Sequence, residues 1–311
     1  MNEKNAEKIL IGPSSFADLD PQPMERLKSE GYEVIDNPFR RRLTKTELLE
    51  LLGRGITGLI AGLEPLDREV LTASQLKVVS RCGSGMSNVD QSAAAELGIE
   101  VRNTPDGPTS AVAELTVGAM LSLLRMIPEM DRGMHSGEWP KRIGLQLEGK
   151  TVAIIGMGRI GRRVAELLKP FRANIIAVDV CPDHLIENVT FCSMEEALLQ
   201  ADILTLHCSG EHCILGEREL QQVKEGAYVL NAARGGLIDE EALAAALSNG
   251  KIDGVWLDTF SKEPYTGPLT KYSQVILTPH VGSYTRECRL NMEMESVENL
   301  IKVMNEKKEP S

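Results

Sequence analysis

Two features of the sequence carry chemistry. The first is Gly156-Met157-Gly158-Arg159-Ile160-Gly161, which directly follows the apolar run Val152-Ala153-Ile154-Ile155 and opens a helical segment that stops near Pro170. In a strand–turn–helix of this kind Gly156 permits the tight turn and Gly158 lets the backbone approach a pyrophosphate. Gly161 lets the helix pack close to the strand. The helix start adds N–H groups and a partial positive charge, which together make an anion site out of backbone. The next apolar run, residues 174–178, ends on Asp179, 18 residues beyond Gly161. That is close to the spacing of a carboxylate that binds ribose hydroxyls. Such a carboxylate repels a 2′-phosphate, and no arginine follows it within residues 180–183, so the pattern predicts NAD rather than NADP.

The second feature is a set of three short segments, each at the end of an apolar run. Asn231-Ala232-Ala233-Arg234-Gly235-Gly236 follows residues 227–230, and Asp258-Thr259-Phe260-Ser261-Lys262-Glu263-Pro264 follows residues 254–257. Thr278-Pro279-His280-Val281-Gly282 follows residues 275–277. An open parallel sheet places its ligands at the carboxyl ends of its strands, so Arg234, Glu263 and His280 are expected to converge. Their types suit one reaction, hydride transfer to a 2-keto acid. Histidine is the proton donor suited to near-neutral pH. A carboxylate beside it stabilises the imidazolium, and an arginine grips a substrate carboxylate with a bidentate fork. The hydride itself comes from the nicotinamide. A surface role is the commoner fate of any one such residue. Three of them behind one dinucleotide fingerprint are not a common accident.

The elements that must position these residues are legible as alternating strands and helices. Strands are expected at residues 8–11, 33–35, 58–61, 77–80 and 100–102. A second series is expected at 151–155, 174–178, 203–206, 227–230, 254–257 and 275–277. Helical segments include 24–30, 45–52, 91–97, 162–168 and 240–248. Strand–helix alternation of this kind implies an α/β protein with parallel sheets wound on both faces, here two doubly wound units. Residues 110–135 read as one long, mostly apolar helix joining the two series, with Met120, Met126, Met130 and Met134 in a stripe. A polar stretch at 136–149 follows it. A last helix, residues 287–305, is placed to return and cover the first unit.

The composition bounds the function. The chain has 311 residues, 42% of them hydrophobic and 25% charged, and a formal net charge of −11. That length suggests two globular domains, and the acidic balance argues against a nucleic-acid partner while leaving room for a small anionic substrate. The start, Met1 to Lys8, is polar and lacks a signal core. No run of 18 apolar residues predicts a membrane span. The six cysteines form no disulfide framework, which points to a reducing cytoplasm. His207-Cys208 and His212-Cys213 lack the spacing of a zinc site, so no metal is expected.

The sequence resembles the D-isomer-specific 2-hydroxyacid dehydrogenases, and within them the phosphoglycerate dehydrogenase-like branch. The resemblance runs through Arg81-Cys82-Gly83-Ser84-Gly85, Asn88-Val89-Asp90, Asn103-Thr104-Pro105, Val112-Ala113-Glu114-Leu115-Thr116, Gly137-Glu138-Trp139 and Leu147-Glu148-Gly149-Lys150-Thr151. It continues through the glycine fingerprint and the three strand-end segments. It implies Arg234 as the substrate arginine and Glu263 with His280 as the acid–base relay. It implies Asp258 on the nicotinamide carboxamide, with His207, Ala233, His280 and Gly282 also lining the cofactor beside Gly156, Gly158, Arg159, Ile160, Gly161 and Asp179. Arg81 and the backbone of Ser84 and Gly85 are implied at the substrate. The implied architecture is a Rossmann cofactor domain, residues 104–284, inserted in a split flavodoxin-like substrate domain, residues 1–103 and 285–311. A homodimer through the cofactor domain is implied as well.

Three departures from the family qualify the substrate. Gly62-Leu63-Glu64-Pro65 lacks an arginine that several phosphoglycerate dehydrogenases carry nearby, so a phosphate would need Arg40-Arg41-Arg42 or Lys141-Arg142. The loop Cys208-Ser209-Gly210-Glu211-His212-Cys213 replaces a proline-containing segment beside the cofactor. The chain ends at Ser311, so serine feedback through a C-terminal regulatory domain is not expected. Phosphoglycerate, glyoxylate or hydroxypyruvate, and phosphonate or sulfonate keto acids remain open as substrates. Formate or phosphite oxidation is a further possibility of the same fold. A non-catalytic NAD(H)-sensing protein of corepressor type is the reading from another class.

Overall fold

The computed structural model describes residues 6–183, 185–210 and 212–307. Within them the chain forms two compact units, one of Met1–Pro108 with Ser283–Ser311 and one of Thr109–Gly282. The expectations for the polar start of the chain, its end at Ser311 and Glu211 fall partly or wholly outside the described residues.

The first unit alternates strands and helices: β1 (Lys8–Ile11), α1 (Gln22–Ser29), β2 (Glu33–Ile35), α2 (Lys45–Leu52), β3 (Ile56–Ala61), α3 (Arg68–Thr72), β4 (Val78–Arg81), α4 (Gln91–Glu96) and β5 (Glu100–Asn103). The strands make one sheet in the order β2-β1-β3-β4-β5, and every pairing is parallel. Alternate residues bury opposite faces, as strand geometry requires. Leu10, Leu59 and Val79 pack with Leu48, Leu52, Val70 and Ala93 from α2, α3 and α4. Ile9, Ile11, Ile60 and Val78 face the other way. A sheet buried on both sides reads as near-continuous apolar runs, which is why its strands were visible in the sequence. Thr44 starts α2 with a capping box, its side chain accepting the Glu47 N–H while Glu47 accepts the Thr44 N–H.

The second unit runs α5 (Pro108–Leu124), α6 (Ile127–His135), β6 (Thr151–Ile155), α7 (Arg159–Leu168), β7 (Asn174–Val178), β8 (Val189–Phe191), α8 (Met194–Gln200), β9 (Ile203–Leu206), α9 (Glu217–Gln222), β10 (Ala227–Asn231), α10 (Glu240–Ser248), β11 (Ile252–Leu257) and β12 (Val275–Leu277). Its seven strands are parallel in the order β12-β11-β10-β9-β6-β7-β8. One face packs on α8, α9 and α10 through Ile155, Leu206, Val229 and Leu257. The other packs on α5 and α7 through Val152, Ile154, Leu230 and Trp256. The order reverses between β6 and β9, so the ligand crevice of this sheet lies beyond the ends of those two strands. The last helix, α11 (Arg286–Glu306), belongs to the first unit. Its Val297, Leu300, Ile301 and Met304 bury against Ile9, Ile60 and Val78.

One expected element is corrected. Residues 110–135 are not a single helix. The chain breaks between α5 and α6, which are bent by 67°, with Met126 left-handed at φ 50°. Pro128 is the cause: it has no N–H for a helical bond, and its ring clashes with the carbonyl four residues back, that of Leu124. The Leu124 carbonyl accepts the N–H of Leu145 instead, at 2.8 Å. Among the described residues no single helix is long and apolar enough to cross a membrane. Nor do three or more His, Cys, Asp or Glu side chains gather as metal ligands there.

Candidate active site

Arg234, Glu263 and His280 come from three adjacent strand ends of the second unit and line one open cavity of about 550 Å³. Arg234 follows β10 in a turn pinned by buried Asn231, whose side chain accepts the Ala233 N–H and donates to the Arg234 carbonyl. The guanidinium gives one N–H to the Ala233 carbonyl at 2.7 Å. Four N–H donors of its fork are left to bind an anion. Glu263 lies in the loop after β11. Ser261 in that loop donates both its N–H and its hydroxyl to Glu240 at 2.9 Å. The Phe260 and Tyr265 rings stack with centroids 4.4 Å apart. Glu263 therefore leaves a loop held at two points.

His280 follows β12. Its Nδ1 lies 3.1 Å from each carboxylate oxygen of Glu263. A carboxylate only accepts, so Nδ1 carries the proton and the other ring nitrogen, Nε2, is left to face a ligand if one binds. Asp258, 1% exposed, accepts the N–H of Val281 at 2.9 Å and of Gly282 at 2.8 Å. The carboxylate expected at the nicotinamide is thus also the anchor of the histidine turn. Ala233 is buried at the foot of the Arg234 turn, and Gly282 is buried against Asp258.

The glycine fingerprint sits at the β6–β9 switch point. Gly156 has φ +99°, and a side chain at Gly161 would overlap the Gly156 carbonyl, so helix and turn meet at a contact only glycine allows. Gly158 caps α7 without a side chain, and the space a Cβ would enter there is open. Arg159 is exposed and Ile160 half-buried in the first turn. Asp179 accepts the N–H of Met157 at 2.6 Å and of Cys181 at 2.8 Å. These two bonds leave a carboxylate with lone pairs for ribose hydroxyls. Arg162, not singled out from the sequence, bonds the Met157 carbonyl and pairs with Asp183 at 3.0 Å.

Residues 117–282, more than half of the chain, match the D-isomer specific 2-hydroxyacid dehydrogenase, NAD binding domain family. The chain belongs to this family. A D-3-phosphoglycerate dehydrogenase of Methanocaldococcus jannaschii is 39% identical over 269 residues, 83% of this chain and 51% of that protein. A glyoxylate reductase of Thermofilum pendens is 36% identical over 264 residues, 80% of this chain and 78% of that one. A solved structure from Thermus thermophilus superposes with a TM-score of 0.88 at 34% identity, covering 96% of this chain and 97% of that one. The chain spans about half the length of the curated phosphoglycerate dehydrogenases it matches.

The second unit of this 2-hydroxyacid dehydrogenase family member has the parts an NAD(H) molecule needs. The open space at Gly158 has room for a pyrophosphate, and Asp179 directly follows the next strand. Thr259 Oγ1 and His207 Nδ1 are among the buried polar atoms that have no partner among the described residues. Thr259 lies in the wall of the cavity that holds His280. His207 follows β9, and its Nε2 lies 2.9 Å from Thr205 Oγ1.

In the first unit Arg81 ends β4 and folds back over Gly83, donating to the Cys82 carbonyl. Ser84 is exposed, its carbonyl accepting from Asn103, and Gly85 is half-buried. The basic residues considered for a phosphate are mostly engaged. Arg40 pairs with Asp18, Arg41 with Glu47 and Arg142 with Glu129, while Arg42 and Lys141 are exposed. Glu240 was invisible as a site residue because an acid in a helix's first turn reads as dipole compensation. Nothing in the sequence links it to Ser261.

Burial pushes the His207 imidazole down to about 3 from 6.5. The unfolded chain therefore holds one more proton than the folded one between those values. The neutral ring's stabilisation is complete above about pH 6.5 and falls away toward pH 3, by up to about 1.4 kcal/mol per pH unit. Urea titrations across that window are expected to show a shallower pH dependence in His207→Gln than in the parent. Identical slopes would contradict a neutral His207 in the folded chain.

Proposed function

We propose that this chain is an NAD-dependent oxidoreductase interconverting a D-2-hydroxy acid and its 2-keto acid. The observation that carries the reading is Nδ1 of His280 on both oxygens of Glu263, in the cavity that also holds Arg234. When bound, NADH would supply the hydride for C2 of the keto acid. His280 gives its Nε2 proton to the C2 oxygen as negative charge develops there, and takes it back in the oxidative direction. Glu263 keeps the ring oriented and faces the positive charge the imidazole carries as a proton donor. Arg234 holds the substrate carboxylate and draws electron density from the adjacent carbonyl. Asp179 selects NAD over NADP, because its carboxylate repels a 2′-phosphate.

In this reading the Thr109–Gly282 unit binds cofactor, and Arg81, Ser84 and Gly85 are substrate-binding residues. The relatives named D-3-phosphoglycerate dehydrogenase support 3-phosphoglycerate and its keto product as the first substrate pair. A small unphosphorylated keto acid such as glyoxylate is the second reading, favoured by the ion pairs that occupy Arg40, Arg41 and Arg142. Six unpaired thiols suit a reducing cytoplasm. Ile127, Met134, Trp139 and Ile143 expose apolar surface on α6 and the segment after it, which suits a homodimer through this unit.

The purified chain is expected to oxidise NADH with at least one of glyoxylate, hydroxypyruvate and 3-phosphohydroxypyruvate. His280→Gln should lower kcat by about 10²–10⁴-fold while NADH still binds. A chain that binds NADH but reduces none of these acids would be an NAD(H) sensor, and an unchanged H280Q rate would remove His280 from the chemistry. Sedimentation is expected to give twice the mass of one chain; a monomer at micromolar concentration would overturn the dimer.

A further inference from the structure

His280 is one of a few residues other than glycine with a positive φ, at +54°. Positive φ is uncommon outside glycine, although histidine enters it more readily than most side chains, and bonds on either side of His280 hold it there. The chain on both sides of His280 is tied to one buried carboxylate, through backbone N–H groups after it and a side-chain hydroxyl before it. After it, Val281 and Gly282 donate to Asp258. Before it, the Thr278 hydroxyl reaches Asp258 Oδ1 at 2.6 Å, and His280 donates its own N–H to the Thr278 carbonyl at 2.9 Å.

The polarity of this chain of bonds is fixed. Trp256, fully buried, brings its indole Nε1 to Thr278 Oγ1 at 3.0 Å, and an indole N–H only donates. Thr278 must therefore accept from Trp256, which commits its own proton to Asp258, a pure acceptor. One hydroxyl orientation satisfies both neighbours. We infer that Thr278 is a positioning residue for His280: through Asp258 it holds the backbone turn that keeps the imidazole on Glu263. The inference rests on the hydride-transfer reading for its kinetic consequence, but not for its structural one.

The structural consequence is read by hydrogen–deuterium exchange of the peptide spanning residues 277–284. Thr278→Val keeps the shape and deletes the hydroxyl, and should raise exchange in that peptide selectively. Thr278→Ser keeps the hydroxyl and should preserve protection. Trp256→Phe removes the far donor together with part of a fully buried ring, and should still protect the peptide more than Thr278→Val does, which separates the grip on Asp258 from an orphaned indole. With NADH and a keto substrate, T278V is expected to lose about 100-fold in kcat with the Kd for NADH unchanged, and T278S to stay within about 3-fold of the parent. Should T278V not fold, T278A against T278S gives the same comparison. Equal protection of the peptide in T278V and the parent would overturn the inference, as would equal losses in T278S and T278V. A parent that turns over no keto acid would instead count against the hydride-transfer reading, and the exchange result would still decide the role of Thr278.

Discussion

Two oxygens of Glu263 and one nitrogen of His280 meet at 3.1 Å, and neither residue's own element can bring this about. Glu263 hangs from the loop after β11 and His280 from the turn after β12. Their meeting depends first on the register of those strands, Val255 opposite Val275 and Leu257 opposite Leu277. A slip by one residue would turn every side chain of β12 to the opposite face. It depends next on what holds each loop: Glu240 on Ser261, the Phe260–Tyr265 stack, and Asp258 on the N–H groups of Val281 and Gly282. The exposed contact at the centre is small, and the buried structure around it supplies its precision.

The same sheet arranges the rest of the site. All seven strands are parallel, so their carboxyl ends lie on one edge, with the glycine turn at the switch point and Arg234, Glu263 and His280 spread over the three strands beyond β9. The sheet is buried on both faces, and the burial that fixes strand order also fixes the spacing of these residues. The chain as a whole is acidic, with a net charge of −11. In the proposed function a small anion therefore relies on local donors, the fork of Arg234 and the uncapped start of α7, rather than on a general positive field.

Much of this was legible beforehand because the signals are local. Buried parallel strands write themselves as apolar runs, and Gly156, Gly158, Gly161 and Asp179 mark a strand–turn–helix–strand by type and spacing. Other parts were not legible, for identifiable reasons. β8 is a three-residue edge strand, only partly buried, and α9 buries Leu220 alone, so neither has a period to read. The break between α5 and α6 was masked by continuous hydrophobicity, although Pro128 was there to predict it. The bonds from Asp258 to the histidine turn and from Glu240 to Ser261 join residues about twenty apart in sequence. They exist only once the strands are paired, and no spacing rule encodes them.

A double-mutant cycle in kcat/KM for keto acid reduction tests the central contact most directly. Glu263→Gln, His280→Gln and the combined variant would be compared at saturating NADH. If Glu263 acts through His280, the combined variant falls no further than His280→Gln alone, as for groups that work as a unit. Losses that multiply, each mutation costing the same with or without the other, would show that the two residues act independently and would contradict the account.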